Sequence, residues 1–531
     1  MENSKVLTSS FAAVQPIREN IGAYLLKCLY RAADSRLING TTDESLSFAE
    51  VGRQANAAAK SFIRHGIREG DIACFITANC MPIIPALIGL ASINAVATYA
   101  EMSQEDTVDH LNKLKAVAIL CDPSSIKRAR AVKELAPSVV NLFVMGECAE
   151  SDCISWNTLL AEQNGDSTVV EARYIPKHPC YMPTTSGTTG KPKVAIHTHE
   201  TIMACFMAVS HPDHMPLGPK DVLLSTTALI HVYALFDCTC KAIVQGASSV
   251  FLEHCEGDSV LQALQRYKVT SLHTVPYVAQ ALLNNPRLED DGIDTLKHMT
   301  TASTYIAEAT AQELLTRLKL QDFAQLYGQT EIIFATAGVY GERSRTRSMG
   351  KLASGVEAVI RDCQTGELLG PGQQGELYLR GPGVMIGYYG RMDEPITDSE
   401  GWLKTGDVCY YDSDGYIYLV NRLKEFIKVR GTTIPPAAVE TDLLRCPLVK
   451  DCAVVGLPDP ETEQALHAIV IPSTPTANEE EIQKFMQEHA PDFYQLEGGI
   501  TLTDRIPRNK IGKFVRKELV QWLLDRKEKK Q

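Results

Sequence analysis

The 531-residue sequence has no excess of positive charge: 52 Lys and Arg stand against 64 Asp and Glu, a net charge of −12. A basic field able to neutralise phosphate backbones or anionic lipid is missing, which excludes nucleic-acid binding by overall charge. Zinc-site spacing is missing as well. The 15 cysteines are scattered, and the closest two, Cys238 and Cys240 in DCTCK, lack the C-x2-C spacing and the second pair of such a site. They read as reduced, mostly buried thiols. The opening MENSKVLTSSFAAVQPIREN holds no apolar run of signal-peptide length and the closing KEKKQ carries no S-K-L address, so the expected location is the cytoplasm. No internal repeat is visible, which removes solenoids and propellers. The longest apolar stretch, PIIPALIGLASINAVATYA at 82–100, is interrupted by Pro82, Pro85, Ser92 and Asn94. It predicts a buried helix followed by a strand, with no integral membrane segment.

What is present is the composition of a folded chain, 45% hydrophobic and 22% charged, long enough for about three domains or one large and one small. Between about 20 and 420, helical patterns alternate with short β-rich runs. The helical stretch 47–65 precedes IACFITA at 72–78, and KAVAIL at 115–120 follows another helix, which predicts parallel sheets covered by helices. From 375 the texture becomes short alternating strands with Gly and Asp-Gly turns, as in GELYLRGPGVMIGYY and VCYYDSDGYIYLVNR, which predicts antiparallel β-structure. After 422 a compact unit follows, with ETDLLRCP and EEEIQKFMQEHA as helices and DCAVVGL and LHAIVIP as strands. The expected class is α/β: a large N-terminal domain, 1–421, and a small α+β C-terminal domain, 422–531, closing in the helix KELVQWLLDRKEKKQ.

The strongest local signal is YMPTTSGTTGKPKVAIHTH at 181–199. From Thr184 to Lys193 it packs five hydroxyl residues and two glycines around two lysines, a set whose N–H, hydroxyl and ammonium groups can surround polyphosphate. A Walker A loop is excluded: only two residues separate Gly187 from Gly190, and Lys191 is followed by Pro192 where a Ser or Thr should hold magnesium.

This loop resembles the signature of the adenylate-forming superfamily, which contains acyl-CoA and 4-coumarate:CoA ligases, adenylation domains of peptide synthetases and insect luciferases. Further stretches resemble the family's motifs in the family's order: HVYAL at 231–235, QLYGQTE at 325–331, GELYLRGPGVMIGYY at 375–389, GWLKTGD at 401–407, NRLKEFIKVRG at 421–431 and IPRNKIGK at 506–513. The resemblance spans nearly the whole chain. It implies an N-terminal AMP-binding domain of helix-covered parallel sheets with a β-barrel-like subdomain, and a C-terminal domain that is a mobile cap.

It also implies ATP-dependent activation of a hydrophobic or aromatic carboxylic acid, in which a carboxylate attacks the α-phosphorus and pyrophosphate leaves. Such chemistry needs two anions held together and the growing charge neutralised. By the resemblance, Thr185, Ser186, Gly187, Thr188, Thr189, Gly190, Lys191 and Lys193 close over the phosphates. Gln325, Tyr327 and Gly328 belong to the nucleotide site, Thr330 bonds the α-phosphate, and Glu331 associates with Mg2+. Asp407 takes the ribose hydroxyls and Arg422 the ribose or phosphates. Lys513 bridges the acyl carboxylate and α-phosphate as the catalytic lysine. Lys424 marks the hinge, and Lys428, Arg430 and Gly431 serve the second step. His231 and Tyr233 close the acid pocket, which Ala302, Ser303 and Thr304 also line.

The chain departs from the family pattern in places. Where the family often has Gly-Gly-Ala-Pro-Leu it reads Ala302, Ser303, Thr304, Tyr305, Ile306, so a changed pocket shape or backbone path is expected. Val194, Asn421 and His254 also replace residues common in the family. Two fates of the acyl-adenylate stay open, thiolysis by coenzyme A and oxygenation by O2 with light emission as in insect luciferases. A third reading is a catalytically silent nucleotide-binding homologue. No carrier serine follows Lys513, so a tethered carrier domain is not expected as a partner.

Overall fold

The computed structural model describes residues 5–148, 150–162, 168–185, 193–288, 293–430, 432–508 and 514–528. By contacts the chain divides into two compact units, Val6–Ala358 with Leu379–Leu403, and Met1–Lys5 with Val359–Tyr378 and Lys404–Gln531.

Two helix-covered sheets build the first unit. One has eight strands in the order Gly387–Tyr388, Ala195–Thr198, Pro179–Met182, Val96–Tyr99, Ile72–Ile76, Ala118–Cys121, Asn141–Val144, Ile154–Ser155. Its pairings from Pro179–Met182 to Ile154–Ser155 are parallel, and the first two strands are added antiparallel. The apolar run at 82–100 forms the helix Ile83–Ser92 and the strand Val96–Tyr99, both buried, as its interruptions predict. Helix Phe48–Arg64 begins on a Ser47 cap whose side chain accepts from Glu50 N, and it turns Phe48, Val51, Ala55, Ala59 and Phe62 inward at helical spacing.

The second sheet orders seven strands as Asp322–Gln325, His298–Thr301, Ser271–Thr274, Val222–Ser225, Ser248–Phe251, Arg36–Asn39, Ser45–Ser47. All but the last pairing are parallel. One core, with Leu224, Leu261, Leu272, Leu282, Met299 and Leu314, lies against this sheet, and another, with Cys74, Leu111, Ile119, Val132 and Leu142, lies against the first.

In the other unit, the long hairpin Val449–Asp459 and Glu463–Pro472 alternates between two cores. Val454, Leu466, Ala468 and Val470 face the helices Pro436–Leu443 and Glu479–His489, while Val455, Leu457 and Ile469 meet Leu519 and Leu523 of helix Arg516–Glu528. The first of these helices starts earlier than the ETDLLRCP reading placed it, because Pro436 opens it at a position that needs no N–H partner.

One expectation is corrected. Cys148 and Cys153 form a disulfide. The parallel pairing of Phe143 with Ile154 and Val144 with Ser155 brings the two ends of their short connection side by side, which spacing alone did not reveal. The remaining cysteines are free and most are buried.

Candidate active site

Chain order within the seven-stranded sheet supplies the first landmark. From Val222–Ser225 the chain moves out to Ser248–Phe251 on one side and returns to Ser271–Thr274 on the other. The carboxyl ends of Val222–Ser225 and Ser271–Thr274 therefore form a topological switch point, the place where open α/β sheets take ligands. At these ends the hydroxyls of Thr226 and Thr274 hydrogen-bond at 2.6 Å.

His231 sits on the loop that follows Val222–Ser225, its N–H donating to Ala228 O at 2.9 Å and its carbonyl accepting from Leu235 N at 2.8 Å. Asn79, beyond the end of Ile72–Ile76, secures that loop: its amide donates to Thr227 O (3.2 Å) and Leu252 O (2.8 Å) and accepts from Leu229 N (2.7 Å). Tyr181 donates its hydroxyl to Ile230 O. Asn79 escaped the sequence reading because its partners lie about 150 residues away.

Tyr233 opens a π-helix, Tyr233–Cys240, a widened turn that recurs at functional sites. Its hydroxyl meets Thr300 Oγ1 at 2.8 Å and its ring stacks on His273. Burial first, then Cys238 and Asp237, push this phenol well above the ordinary range, so it stays a neutral donor. On the same helix Asp237 is buried with Lys241, and its Oδ2 lies 3.0 Å from His273 Nδ1. Its Oδ1 lies 3.6 Å from His214 Nε2 and 4.0 Å from Lys241 Nζ. Burial works to raise the Asp237 carboxyl, but Lys241 and His273 outweigh it and hold Asp237 ionised. The i, i+4 spacing of Asp237 and Lys241 looks like a surface pair in sequence, which hid this cluster.

The departure at 302–306 has a clear structural form. Ser303 adopts φ +78°, a left-handed conformation that a residue with a Cβ holds at a cost of about 1–2 kcal/mol. Ala302 N donates to Thr274 O at 3.3 Å. Gln325 braces the turn from behind, accepting from Ile306 N (3.0 Å) and donating to Ile306 O (3.2 Å) and Thr346 O (2.7 Å).

The phosphate-loop candidates are pinned at their neck. Thr184 bridges Val194, Thr185 N donates to Lys193 O at 2.8 Å, and Lys193 N donates to Thr185 Oγ1 at 3.2 Å. Ser186, Gly187, Thr188, Thr189, Gly190 and Lys191 lie outside the described residues. At the QLYGQTE turn, a Cβ on Gly328 would stand 1.9 Å from Ile333 O, so only glycine fits. Tyr327 is buried, and its hydroxyl accepts from Gln329 Nε2 at 3.0 Å. His197 Nε2 donates to Thr330 O at 2.7 Å, and burial pulls this imidazole down to about 4, keeping it neutral for that role. Glu331 Oε1 accepts from Tyr388 OH at 2.6 Å, and Lys193 Nζ stands 4.7 Å over the Tyr388 ring.

In the other unit, Asp407 and Arg422 face each other across antiparallel strands, with Arg422 Nε donating to Asp407 Oδ1 at 2.9 Å. Asp407 is 2% exposed, whereas the exposed Lys424 follows on a 3-10 turn, Leu423–Glu425. Lys428 sits on the hairpin strand Ile427–Val429 with its side chain exposed, and Arg430 Nη1 donates to Glu497 Oε1 at 2.9 Å. Gly431 and Lys513 lie outside the described residues. Arg516, which the sequence reading did not single out, donates to Glu440 Oε1 (2.7 Å), Val454 O (2.6 Å) and Glu425 Oε2 (3.3 Å), anchoring the last helix where it begins.

Residues 28–389 match the family described as AMP-binding enzyme, and residues 438–513 its AMP-binding enzyme C-terminal domain. The chain belongs to the AMP-binding enzyme family. It is thus a member of the adenylate-forming superfamily and an enzyme by lineage. Among relatives, it is 27% identical to 4-coumarate–CoA ligase-like 8 of Arabidopsis thaliana over 96% of this chain and 93% of that one. It is also 27% identical to luciferin 4-monooxygenase of Photuris pensylvanica, over 96% of each chain. The fold superposes on the anthranilate CoA ligase AuaEII, solved with anthranoyl-AMP, with a TM-score of 0.85 at 21% identity, covering 96% of this chain and 98% of that one.

For an AMP-binding enzyme, the described geometry separates two kinds of charge. Glu331 and Lys193 are held beside one ring, and Asp407 is paired with the partly exposed Arg422. Among the described residues, no group of three His, Cys, Asp or Glu could hold a metal, and no helix is long and apolar enough to cross a membrane.

Proposed function

We propose that this enzyme activates a hydrophobic or aromatic carboxylic acid with ATP and transfers the acyl group to coenzyme A. The observation that most supports the reading is the convergence of Lys193 and Glu331 on Tyr388, which sets a cation donor and a carboxylate side by side at the neck of the phosphate loop. In this reading Thr185 to Lys193 wrap the phosphates and Thr330 bonds the α-phosphate. Asp407, oriented by Arg422, accepts from the ribose hydroxyls. Lys513 steadies the charge that grows as the carboxylate attacks phosphorus and pyrophosphate leaves. His231, Tyr233 and the 302–304 turn shape the acid pocket.

Mg2+ fits the donor set. Glu331 offers a single carboxylate with one oxygen already engaged by Tyr388, and a cation that takes one protein carboxylate and otherwise phosphate and water oxygens is the habit of Mg2+. When bound it would offset phosphate charge. The C-terminal part, 422–531, would turn as a cap about Lys424 and bring Lys428, Arg430 and Gly431 to the thiol step. A cytoplasmic location, a free acid as partner, and the absence of nucleic-acid and carrier-domain partners belong to the same proposal.

A second reading, oxygenation of the adenylate by O2, is favoured by one finding: the luciferin 4-monooxygenase is as similar to this chain as the ligase-like protein, at 27% identity each. The first test is isotope exchange between pyrophosphate and ATP by the pure protein with Mg2+ and a panel of aromatic and fatty acids. Exchange that requires one of the acids is expected. No exchange with any of them, alongside intact ATP binding, would leave a silent nucleotide-binding homologue.

A further inference from the structure

Glu331 and Lys193 come from distant parts of the chain, yet one short segment fixes both. Strand Gly387–Tyr388 pairs with Ala195–Thr198 in the register Ala195↔Tyr388 and Ile196↔Gly387. Tyr389 N donates to Val194 O at 2.9 Å, the residue next to Lys193. Met385 N donates to Glu331 O at 2.8 Å. Backbone hydrogen bonds on either side of Tyr388 therefore hold Glu331 and the neighbour of Lys193, which sets both side chains within reach of its own.

The Tyr388 side chain then treats the two charges differently. Its hydroxyl donates to Glu331 Oε1 at 2.6 Å, a charge-assisted bond. Its ring presents a π-face to the Lys193 ammonium at 4.7 Å, the distance of a cation–π contact. A carboxylate oxygen can only accept, so the phenol is the donor in this bond. The two opposite charges are thus engaged at different parts of one side chain, the carboxylate at the hydroxyl and the ammonium at the ring face.

We propose that Tyr388 is a positioning residue that aims Glu331 at the divalent cation of a bound nucleoside triphosphate while its ring face holds the Lys193 ammonium. This rests on the nucleotide site proposed above. Carboxylates that ligate metals lose about 10- to 100-fold in metal affinity when the group hydrogen-bonded to them is removed.

The test uses the full-length protein, Mn2+ as the probe cation and a non-hydrolysable ATP analogue, with no acid and no coenzyme A; free Mn2+ is read by electron paramagnetic resonance. Tyr388→Phe removes the hydroxyl and keeps the ring over Lys193. It is expected to weaken Mn2+ binding in the presence of the analogue by about 10-fold or more, with binding of the analogue alone changed less than about twofold. A Mn2+ affinity equal to wild type would overturn the proposal, including the case in which Tyr388→Phe merely unfolds at lower urea. If Tyr388→Phe does not fold, Tyr388→Gln, which can still donate to Glu331, replaces it and is expected to retain Mn2+ binding, whereas Tyr388→Leu loses it; equal binding by Gln and Leu variants would refute the role. A double-mutant cycle with Glu331→Gln adds a second check: the double variant should bind Mn2+ no more weakly than Glu331→Gln alone, and additive losses would contradict the coupling. Because neither acid nor thiol is present, a wild type that makes no acyl product would sink the ligase reading and leave this measurement intact.

Discussion

The candidate residues of the two compact units are held in different ways. In Val6–Ala358 with Leu379–Leu403, Tyr233, Tyr327 and Ala302 are buried, and the backbone of Thr330, Glu331 and Lys193 is fixed by hydrogen bonds to His197, Met385 and Thr185. In Lys404–Gln531, the side chains of Lys424, Lys428 and Arg430 are exposed although Lys428 lies in a strand ladder, whereas Asp407 is buried and pairs with the half-sheltered Arg422 across strands. The first set is fixed through its backbone and its buried side chains, with the exposed Lys193 side chain resting on Tyr388. Exposed lysines still have side-chain freedom to lose, up to about 2 kcal/mol each, so groups of that kind suit a step in which ordering comes with binding.

The largest expected effect tests the prefixed set. Glu331→Gln should lower acid-dependent ATP–pyrophosphate exchange by about 100-fold or more, since one preplaced charge at a developing phosphate charge is worth that much. A loss below tenfold would break the contrast. Two glycines give the next comparison. Gly328→Ala drives a Cβ into Ile333 O and should cost about 3 kcal/mol by urea unfolding. Gly406→Ala, at φ +73° with nothing within 4 Å of the added atom, should cost only the left-handed strain of about 1 kcal/mol. Equal costs would mean that backbone space does not distinguish the two regions.

Lys428→Ala tests the exposed set. Exchange should stay within about twofold, while acyl transfer to coenzyme A from supplied adenylate falls about tenfold or more. An exchange defect as large as that of Glu331→Gln would erase the distinction between the units. The smallest effect concerns pH. Burial lowers His110, His197 and His199 to about 4 from an ordinary 6.5, all three in the first unit. A depressed histidine means that the unfolded chain binds more protons in that interval, so stability is full above pH 6.5 and is lost as pH falls toward 4. His197→Gln, which can still donate to Thr330 O, should make the fall in urea midpoint between pH 7 and pH 5 shallower; an unchanged slope would contradict the assignment.

Much of this was legible in the sequence for identifiable reasons. Ile72–Ile76, Ile83–Ser92 and Val96–Tyr99 announce themselves as short apolar runs bounded by polar or turn residues. Asp407 and Arg422 fall in separate motifs that the hairpin brings together. What stayed hidden depends on long-range pairing. Asn79 reaches Leu229, Tyr388 reaches Glu331, and Arg516 reaches Glu425 across stretches with no periodic signal. The π-helix at 233–240 has no sequence signal, because its apolar residues fit an ordinary buried helix equally well, and the i, i+4 spacing of Asp237 and Lys241 is that of a solvated pair.

The central claim, acid activation followed by transfer to coenzyme A, is most directly tested by mass spectrometry of the products formed from ATP, Mg2+, the acid that supports exchange, and coenzyme A under air, with a photometer on the same sample. An acyl-CoA thioester formed only when coenzyme A is present, without light, is the expected result. Light that requires O2 and no coenzyme A, with no thioester, would contradict it.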